Sequence, residues 1–258
     1  SHACLLSGAK MAGAKTLTFR HNDMAHLEEL LTAHRGEHPH CLVVTDGVFS
    51  MDGDLAPLPE MAALCERFDA WLLSDDAHGV GIVGSDGRGS SFAFGEQKVN
   101  VPLQMGTLSK AIGGYGGYLC ASKPVIDLMR NRARTFVFST GLPPASAAAA
   151  LKALEIIETE PDLCARPAEL ARLFCWQMGL PAPQSPIVPV VVGAAEKALA
   201  LSRALEREGF LVAAIRPPTV PRGTARLRFT FTARHREEDV ERLTETLQRL
   251  LEKEAEAV

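Results

Sequence analysis

Three short apolar runs, each breaking off into polar residues, constrain this chain more than any other feature. Residues 41–45 (CLVVT) run into Asp46, residues 71–74 (WLLS) into Asp75 and Asp76, and residues 103–105 (LQM) into Gly106 and Thr107. Each run has the length of a buried strand. Helical patterns lie between them. Asn22-Asp23 caps a run in which Met24, Leu27, Leu30 and Leu31 share one face up to about His34, and over 55–69 Leu58, Met61, Leu64, Cys65 and Phe68 do the same. Strands alternating with helices predict an α/β fold with a largely parallel, doubly wound sheet. Ligands of such sheets collect at the carboxyl ends of the strands. Three strands therefore deliver polar groups to one edge.

The next segments extend the pattern. Residues 118–121 are a further strand candidate, followed by a helix from Pro124 to about Arg134, a short strand at 136–139 and a helix over 145–159. Beyond residue 160 the periodicity weakens, with prolines at 161, 167, 181, 183, 186 and 189. Then come a strand at 187–192, a helix at 195–208, strands at 210–215 and 224–232, and a last helix with Val240, Leu243, Leu247 and Leu250 on its core face. The β-α-β-β-α order predicts a small α/β domain over 161–258 beside a large domain over 1–160. In 224–232, alternation puts Arg226, Arg228 and Thr230 on one face and Leu227, Phe229 and Phe231 on the other.

Composition excludes several classes. With 47% apolar residues in 258, there is enough hydrophobic surface to offset chain entropy, so the chain is not disordered. A net charge of −4 argues against a nucleic-acid or anionic-membrane partner, which calls for a basic face. No apolar run reaches the roughly 18–20 residues of a membrane helix. The six cysteines form no C-x-x-C pair and read as small buried hydrophobes in a reducing, cytoplasmic interior. His34, His38 and His40 have a metal-like spacing, but Gly36 and Pro39 among them read as a solvated loop, so no metal is expected.

Three segments carry chemistry. In Gly106-Thr107-Leu108-Ser109-Lys110, a lysine follows a strand inside a loop that continues Gly113-Gly114-Tyr115-Gly116-Gly117. In a cleft, such an amine can lose its proton and attack a carbonyl; on the surface it is an ordinary flexible-loop lysine. The glycines do not fit a dinucleotide fingerprint, because Leu119 stands where that pattern needs its last glycine. In Ser74-Asp75-Asp76-Ala77-His78-Gly79, adjacent carboxylates cannot face the same way. An inward Asp75 would hold a cationic ring nitrogen, His78 would reach an oxygen on the same ring, and Asp76 reads as a helix cap or solvated charge. The third segment, from Asp46 to Asp54, is a turn-rich loop without the ligand pattern of an EF-hand.

Together these segments resemble the α-oxoamine synthases, pyridoxal-phosphate enzymes of the aspartate-aminotransferase fold (fold type I). The matching phrases are Ser1-His2-Ala3, Asp46-Gly47-Val48-Phe49-Ser50-Met51-Asp52-Gly53, Asp75-Asp76-Ala77-His78-Gly79, Gly106-Thr107-Leu108-Ser109-Lys110, Phe138-Ser139-Thr140-Gly141-Leu142-Pro143-Pro144 and Ile215-Arg216-Pro217-Pro218-Thr219-Val220-Pro221. The last phrase resembles the biotin branch rather than the aminolevulinate or 2-amino-3-ketobutyrate branches. The likeness runs in order over essentially all of the chain. It implies a large domain with a mostly parallel sheet, a small α/β C-terminal domain, and pyridoxal 5'-phosphate as cofactor.

By the same resemblance, Lys110 holds the cofactor as a Schiff base and later moves protons, and Asp75 pairs with the pyridinium nitrogen. His78 and Ser50 hydrogen-bond the phenolic oxygen, His2 stacks on the ring, and Thr107 touches the phosphate. Thr140 reaches the phosphate of the neighbouring subunit's cofactor in a homodimer. Arg228 binds the amino-acid carboxylate, which leaves Arg226 as a solvated strand residue. Arg216-Pro217-Pro218 is a rigid turn that the family reading makes a wall of the acyl pocket. The implied reaction joins L-alanine to a pimeloyl thioester, of coenzyme A or of acyl carrier protein, with release of carbon dioxide and the thiol. Two other readings stand beside it: a related synthase using glycine or another acyl donor, and a non-catalytic piece of a longer protein. Family members carry a section ahead of the Ser-His-Ala phrase, so Ser1 is expected to fall inside the large domain's sheet.

Overall fold

The apolar runs form strands in the order the sequence implies. In a computed structural model that describes residues 1–95 and 97–256, Leu42–Asp46 (β1), Trp71–Asp75 (β2) and Leu103–Thr107 (β3) pair in parallel as β1-β2-β3. Gly117–Cys120 (β4) completes the four-stranded sheet antiparallel to β3. β1 and β2 run in register from Leu42↔Trp71 to Asp46↔Asp75, and Asp75 registers with Met105 on β3. The ends of three parallel strands thus share one edge.

The chain divides into two compact units, one of Ser1–Phe49 and Leu55–Pro161, the other of Ser50–Asp54 and Asp162–Val258. The first unit holds the four-stranded sheet with α1 (Ala3–Met11), α2 (Met24–His34), α3 (Leu58–Arg67), α4 (Lys123–Arg132), α5 (Arg134–Val137) and α6 (Pro144–Thr159). Asp23 caps α2 by accepting the His26 amide at 2.9 Å. Leu27 and Leu31 of α2 and Leu58, Met61, Leu64 and Cys65 of α3 are buried with Val43 and Leu72 of the strands, as their 3–4 residue spacing requires.

The second unit is a three-stranded antiparallel sheet ordered β5-β7-β6, from Ile187–Gly193 (β5), Ala213–Ile215 (β6) and Ala225–Thr230 (β7). With it belong α7 (Pro161–Met178), α8 (Ala195–Arg207) and α9 (Glu237–Glu256). Leu227 and Phe229 of the central strand and Phe231 just beyond it point into a core with Leu201, Leu205 and Leu247. The Phe174 ring sits 4.8 Å from that of Phe229 and 5.3 Å from that of Phe231.

Four expectations fail, each for a local reason. Residues 136–139 are not a strand. Phe136, Val137 and Phe138 donate their amides to the carbonyls of Ala133 and Arg134, so α5 satisfies the backbone without a strand partner. The proline-punctuated stretch after 160 is mostly the 18-residue helix α7. Pro161 stands at its first position, where no helical N–H is needed, and Pro167 is tolerated in its interior. Ser1 precedes α1 rather than lying in a strand, because the His2 side chain caps that helix by accepting the Cys4 amide. Of the cysteines only Cys65, Cys164 and Cys175 are buried; Cys41 is half-buried, and Cys4 and Cys120, the latter on edge strand β4, are exposed. Burial pushes the Cys65 thiol up to about 12 and that of Cys175 to about 11, which leaves both unreactive.

Phe174 is 0% exposed, and its replacement leaves a void that close-packed neighbours fill only in part. Phe174→Ala should therefore cost about 3–5 kcal/mol, read from the shift in a guanidinium unfolding curve followed by circular dichroism.

Candidate active site

The edge at the ends of β1, β2 and β3 gathers three buried carboxylates. Asp46, Asp75 and Asp76 are 7%, 6% and 3% exposed. The edge is knitted by backbone: Gly47 N–H donates to the Asp75 carbonyl at 2.8 Å, and Asp76 N–H donates to that of Met105 at 2.7 Å. The Asp75 carboxylate accepts the Ala77 amide at 3.0 Å. Among the described residues no lysine or arginine pairs with it. A carboxylate taken out of water normally finds a cation. Asp75 is thus a buried acceptor suited to a cationic ligand group. His78 follows in the same turn and is half-buried.

Asp76 is not the solvated charge the sequence suggests. Both of its oxygens accept the Ser90 amide, at 3.1 and 3.0 Å. Glycines make room for it: a Cβ on Gly79 would fall 1.9 Å from one oxygen, and a Cβ on Gly89 would fall 2.0 Å from the other. Its carboxylate ties the turn that carries Asp75 and His78 to the segment at 89–90. Burial raises its pKa above the usual carboxylate range, against the lowering hydrogen bonds from Ser90. Burial raises Asp46 likewise, opposed by the His2 amide.

His2 lies at this same edge. Its backbone N–H donates to Asp46 Oδ1 at 3.1 Å, and its exposed ring meets Cys4 Sγ through Nδ1 at 3.0 Å. Lys110 is exposed in the loop between β3 and β4. Leu108 and Gly116 close that loop by an amide-to-carbonyl bond of 2.9 Å, and Lys110 O accepts Gly113 N–H. Gly116, at φ 123°, adopts a backbone that side chains disfavour. Gly106 makes room for Tyr118: a Cβ there would fall 2.4 Å from the Tyr118 hydroxyl. The Thr107 hydroxyl donates to Gly116 O at 3.0 Å and lies 2.7 Å from Ser109 Oγ, so two hydroxyls stand together beside Lys110. Thr140 is exposed between α5 and α6. Among the described residues no cluster of three His, Cys, Asp or Glu side chains is placed to hold a metal ion.

Ser50 and Arg228 belong to the second unit. There the structure separates the two arginines that alternation left equivalent. Arg226 is 6% exposed and ion-paired with Asp52, so it is buried rather than solvated. Arg228 donates from Nε to the Ser50 carbonyl and from Nη1 to Thr230 Oγ1 at 2.9 Å. Among the described residues no carboxylate pairs with it, and burial lowers its pKa. A half-buried guanidinium without a carboxylate partner has donors of the kind that a carboxylate accepts from. Sequence reasoning missed Asp76 and Arg226 as buried groups. The glycines at 79 and 89 were the available sign for Asp76; nothing in the local sequence marked Arg226.

A carboxyl whose pKa rises on folding stabilises fully below the unfolded value of about 3.9 and loses that contribution as pH climbs through the folded value. Asp76→Asn should therefore lose less stability than the parent between about pH 4 and 7, measured by urea unfolding across that range. Asp76→Ala strands the Ser90 amide and should be less stable by about 1–3 kcal/mol at every pH in it.

Known proteins resemble this chain in sequence and fold. Residues 1–247 match the family model described as aminotransferase class I and II. The 8-amino-7-oxononanoate synthase of Methylocella silvestris is 64% identical over 96% of the chain and 70% of its own length. The protein of that name from Beijerinckia indica is 57% identical over 97% of the chain and 64% of its own length. The structure of a serine palmitoyltransferase variant from S. paucimobilis with bound PLP-myriocin aldimine superposes with a TM-score of 0.90 at 32% identity, covering 97% of this chain and 64% of that one. The chain spans about two thirds of the length of the curated relatives it matches. The fold is the aspartate-aminotransferase-like one, fold type I, and the chain belongs to the aminotransferase class I and II family, among its α-oxoamine synthases.

Proposed function

We propose that this protein condenses L-alanine with a pimeloyl thioester, of coenzyme A or acyl carrier protein, to 8-amino-7-oxononanoate, carbon dioxide and free thiol, using pyridoxal 5'-phosphate. The observation that carries the chemistry is Asp75, a carboxylate 6% exposed at a strand end with no lysine or arginine partner among the described residues. The choice of substrates is supported by the 64% and 57% identity to the 8-amino-7-oxononanoate synthases of Methylocella silvestris and Beijerinckia indica.

When bound, pyridoxal phosphate supplies an aldehyde and a conjugated ring that stores an electron pair released at carbon. The Asp75 carboxylate would accept the ring N–H and favour the cationic nitrogen. His78 and Ser50 would hydrogen-bond the phenolic oxygen, and His2 would stack on the ring. The paired hydroxyls of Thr107 and Ser109 suit a phosphate, and Thr107 would make the contact. Lys110 Nζ would hold the cofactor covalently and, once free, would take the proton from the alanine α-carbon. Arg228 fixes the alanine carboxylate with its guanidinium edge, which sets which bond at the α-carbon breaks first.

A homodimer completes this reading, with Thr140 reaching the partner's phosphate. Its support is the exposed apolar residues flanking Thr140 in the chain, where Phe136 is 65%, Phe138 78% and Leu142 41% exposed. The six free cysteines suit a reducing cytoplasmic setting, and no helix among the described residues is long and apolar enough to cross a membrane.

Borohydride treatment of the cofactor-loaded protein should fix a pyridoxyl mass on the peptide containing Lys110, and Lys110→Ala should abolish both the adduct and turnover. In a panel of alanine, glycine and serine against pimeloyl, acetyl and palmitoyl thioesters, alanine with pimeloyl should give the highest kcat/KM; preference for serine with palmitoyl would favour the related synthase instead. Arg228→Gln should raise the KM for alanine by about 10–100-fold, the loss of one charged, bidentate contact.

A further inference from the structure

The segment Ser50–Asp54 is a strap. The chain leaves the first unit after Phe49 and rejoins it at Leu55, and the five residues between belong to the second unit. Three attachments hold the strap on the polar face of the β5-β7-β6 sheet. Arg228 Nε donates to the Ser50 carbonyl. Arg226 Nη1 donates to the Met51 carbonyl at 3.3 Å and to Asp52 Oδ1. Gly53, at φ 76°, lies so close to β5 that a Cβ would fall 2.0 Å from the Ile187 carbonyl oxygen.

The two arginines stand two residues apart on the central strand, on the face opposite Leu227 and Phe229. Their surroundings differ. The Arg226 side chain is 7% exposed and also donates from Nε to Thr224 O at 3.1 Å, so its Nε and Nη1 are committed to protein acceptors, one of them the Asp52 carboxylate. Arg228 spends Nε on Ser50 O and one Nη1 donor on Thr230 Oγ1, and no carboxylate among the described residues pairs with it. The Ser50 carbonyl fixes the tilt of the Arg228 guanidinium, and the Arg226–Asp52 pair fixes the strap that presents this carbonyl.

We propose that Arg226 is a positioning residue for the amino-acid substrate: with Asp52 it locks the strap so that Ser50 holds the Arg228 guanidinium in the orientation that receives the substrate carboxylate. This rests on the reading of Arg228 as the carboxylate receptor. A lysine at 226 keeps the charge but not the planar fork that reaches two acceptors and Thr224 together. Asp52→Asn keeps the size of the half-exposed partner and removes its charge.

The test compares the parent, Arg226→Lys, Asp52→Asn and Arg228→Gln, each loaded with pyridoxal phosphate. It measures KM and kcat for L-alanine, deuterium exchange of the amides at 51–54, and the thermal midpoint. Arg226→Lys and Asp52→Asn should each raise the alanine KM by about tenfold with kcat changed less than about threefold, and should speed strap exchange. The proposal is overturned if Arg228→Gln raises KM while both strap variants leave it unchanged. It is equally overturned if those variants lower only kcat and the thermal midpoint, the signature of structural support. An unchanged KM in Arg228→Gln would instead break the carboxylate reading on which the proposal stands, and faster strap exchange in the other two variants would show that the clamp exists without that use.

Discussion

Burial of acidic groups without full compensation organises the edge of the larger sheet. Three carboxylates come to the ends of adjacent parallel strands, where water is scarce and repulsion between like charges is strong. Each is handled differently. Asp76 accepts the Ser90 amide and is enclosed by glycines. Asp46 takes the His2 amide. Asp75 takes the Ala77 amide and has no lysine or arginine partner among the described residues. A group in that state is costly for folding and useful for binding, because a cationic ligand recovers what desolvation took. The glycines at 47, 79 and 89 make room for the neighbouring Asp76 carboxylate, which accepts the Ser90 amide and so pins the turn that begins at Asp75.

The parallel sheet was legible because its signal is local. Apolar runs of strand length, each ended by polar residues, leave little choice of architecture, and strand-to-strand register then brings Asp46 beside Asp75. The small unit's β-α-β-β-α order was legible for the same reason. What escaped depended on partners distant in sequence. Arg226 is buried by Asp52, 174 residues away. Asp76 is buried by Ser90 and by glycines whose role shows only in three dimensions. Residues 136–139 have the composition of a strand, yet local turn hydrogen bonds win where no neighbouring strand is offered. α7 was hidden by its prolines, one at a position where the missing N–H costs nothing.

The same contrast separates the candidate site residues. Lys110, Asp75 and His78 sit in motifs whose resemblance to those of the α-oxoamine synthases implied their chemistry. Arg228 could not be told from Arg226 by alternation, because both occupy the same face of β7. Their partners distinguish them: the Arg226 guanidinium is paired with Asp52, and that of Arg228 has no carboxylate partner among the described residues. Both donate to the strap at 50–52.

The central claim is that Asp75, which has no lysine or arginine partner among the described residues, serves to hold a protonated ring nitrogen. Nitrogen-15 NMR of ring-labelled pyridoxal phosphate bound to the protein tests this directly. A protonated ring nitrogen at neutral pH that reverts to the neutral shift in Asp75→Asn is the predicted result. A neutral ring nitrogen in the parent, or a protonated one that survives Asp75→Asn, would contradict the account.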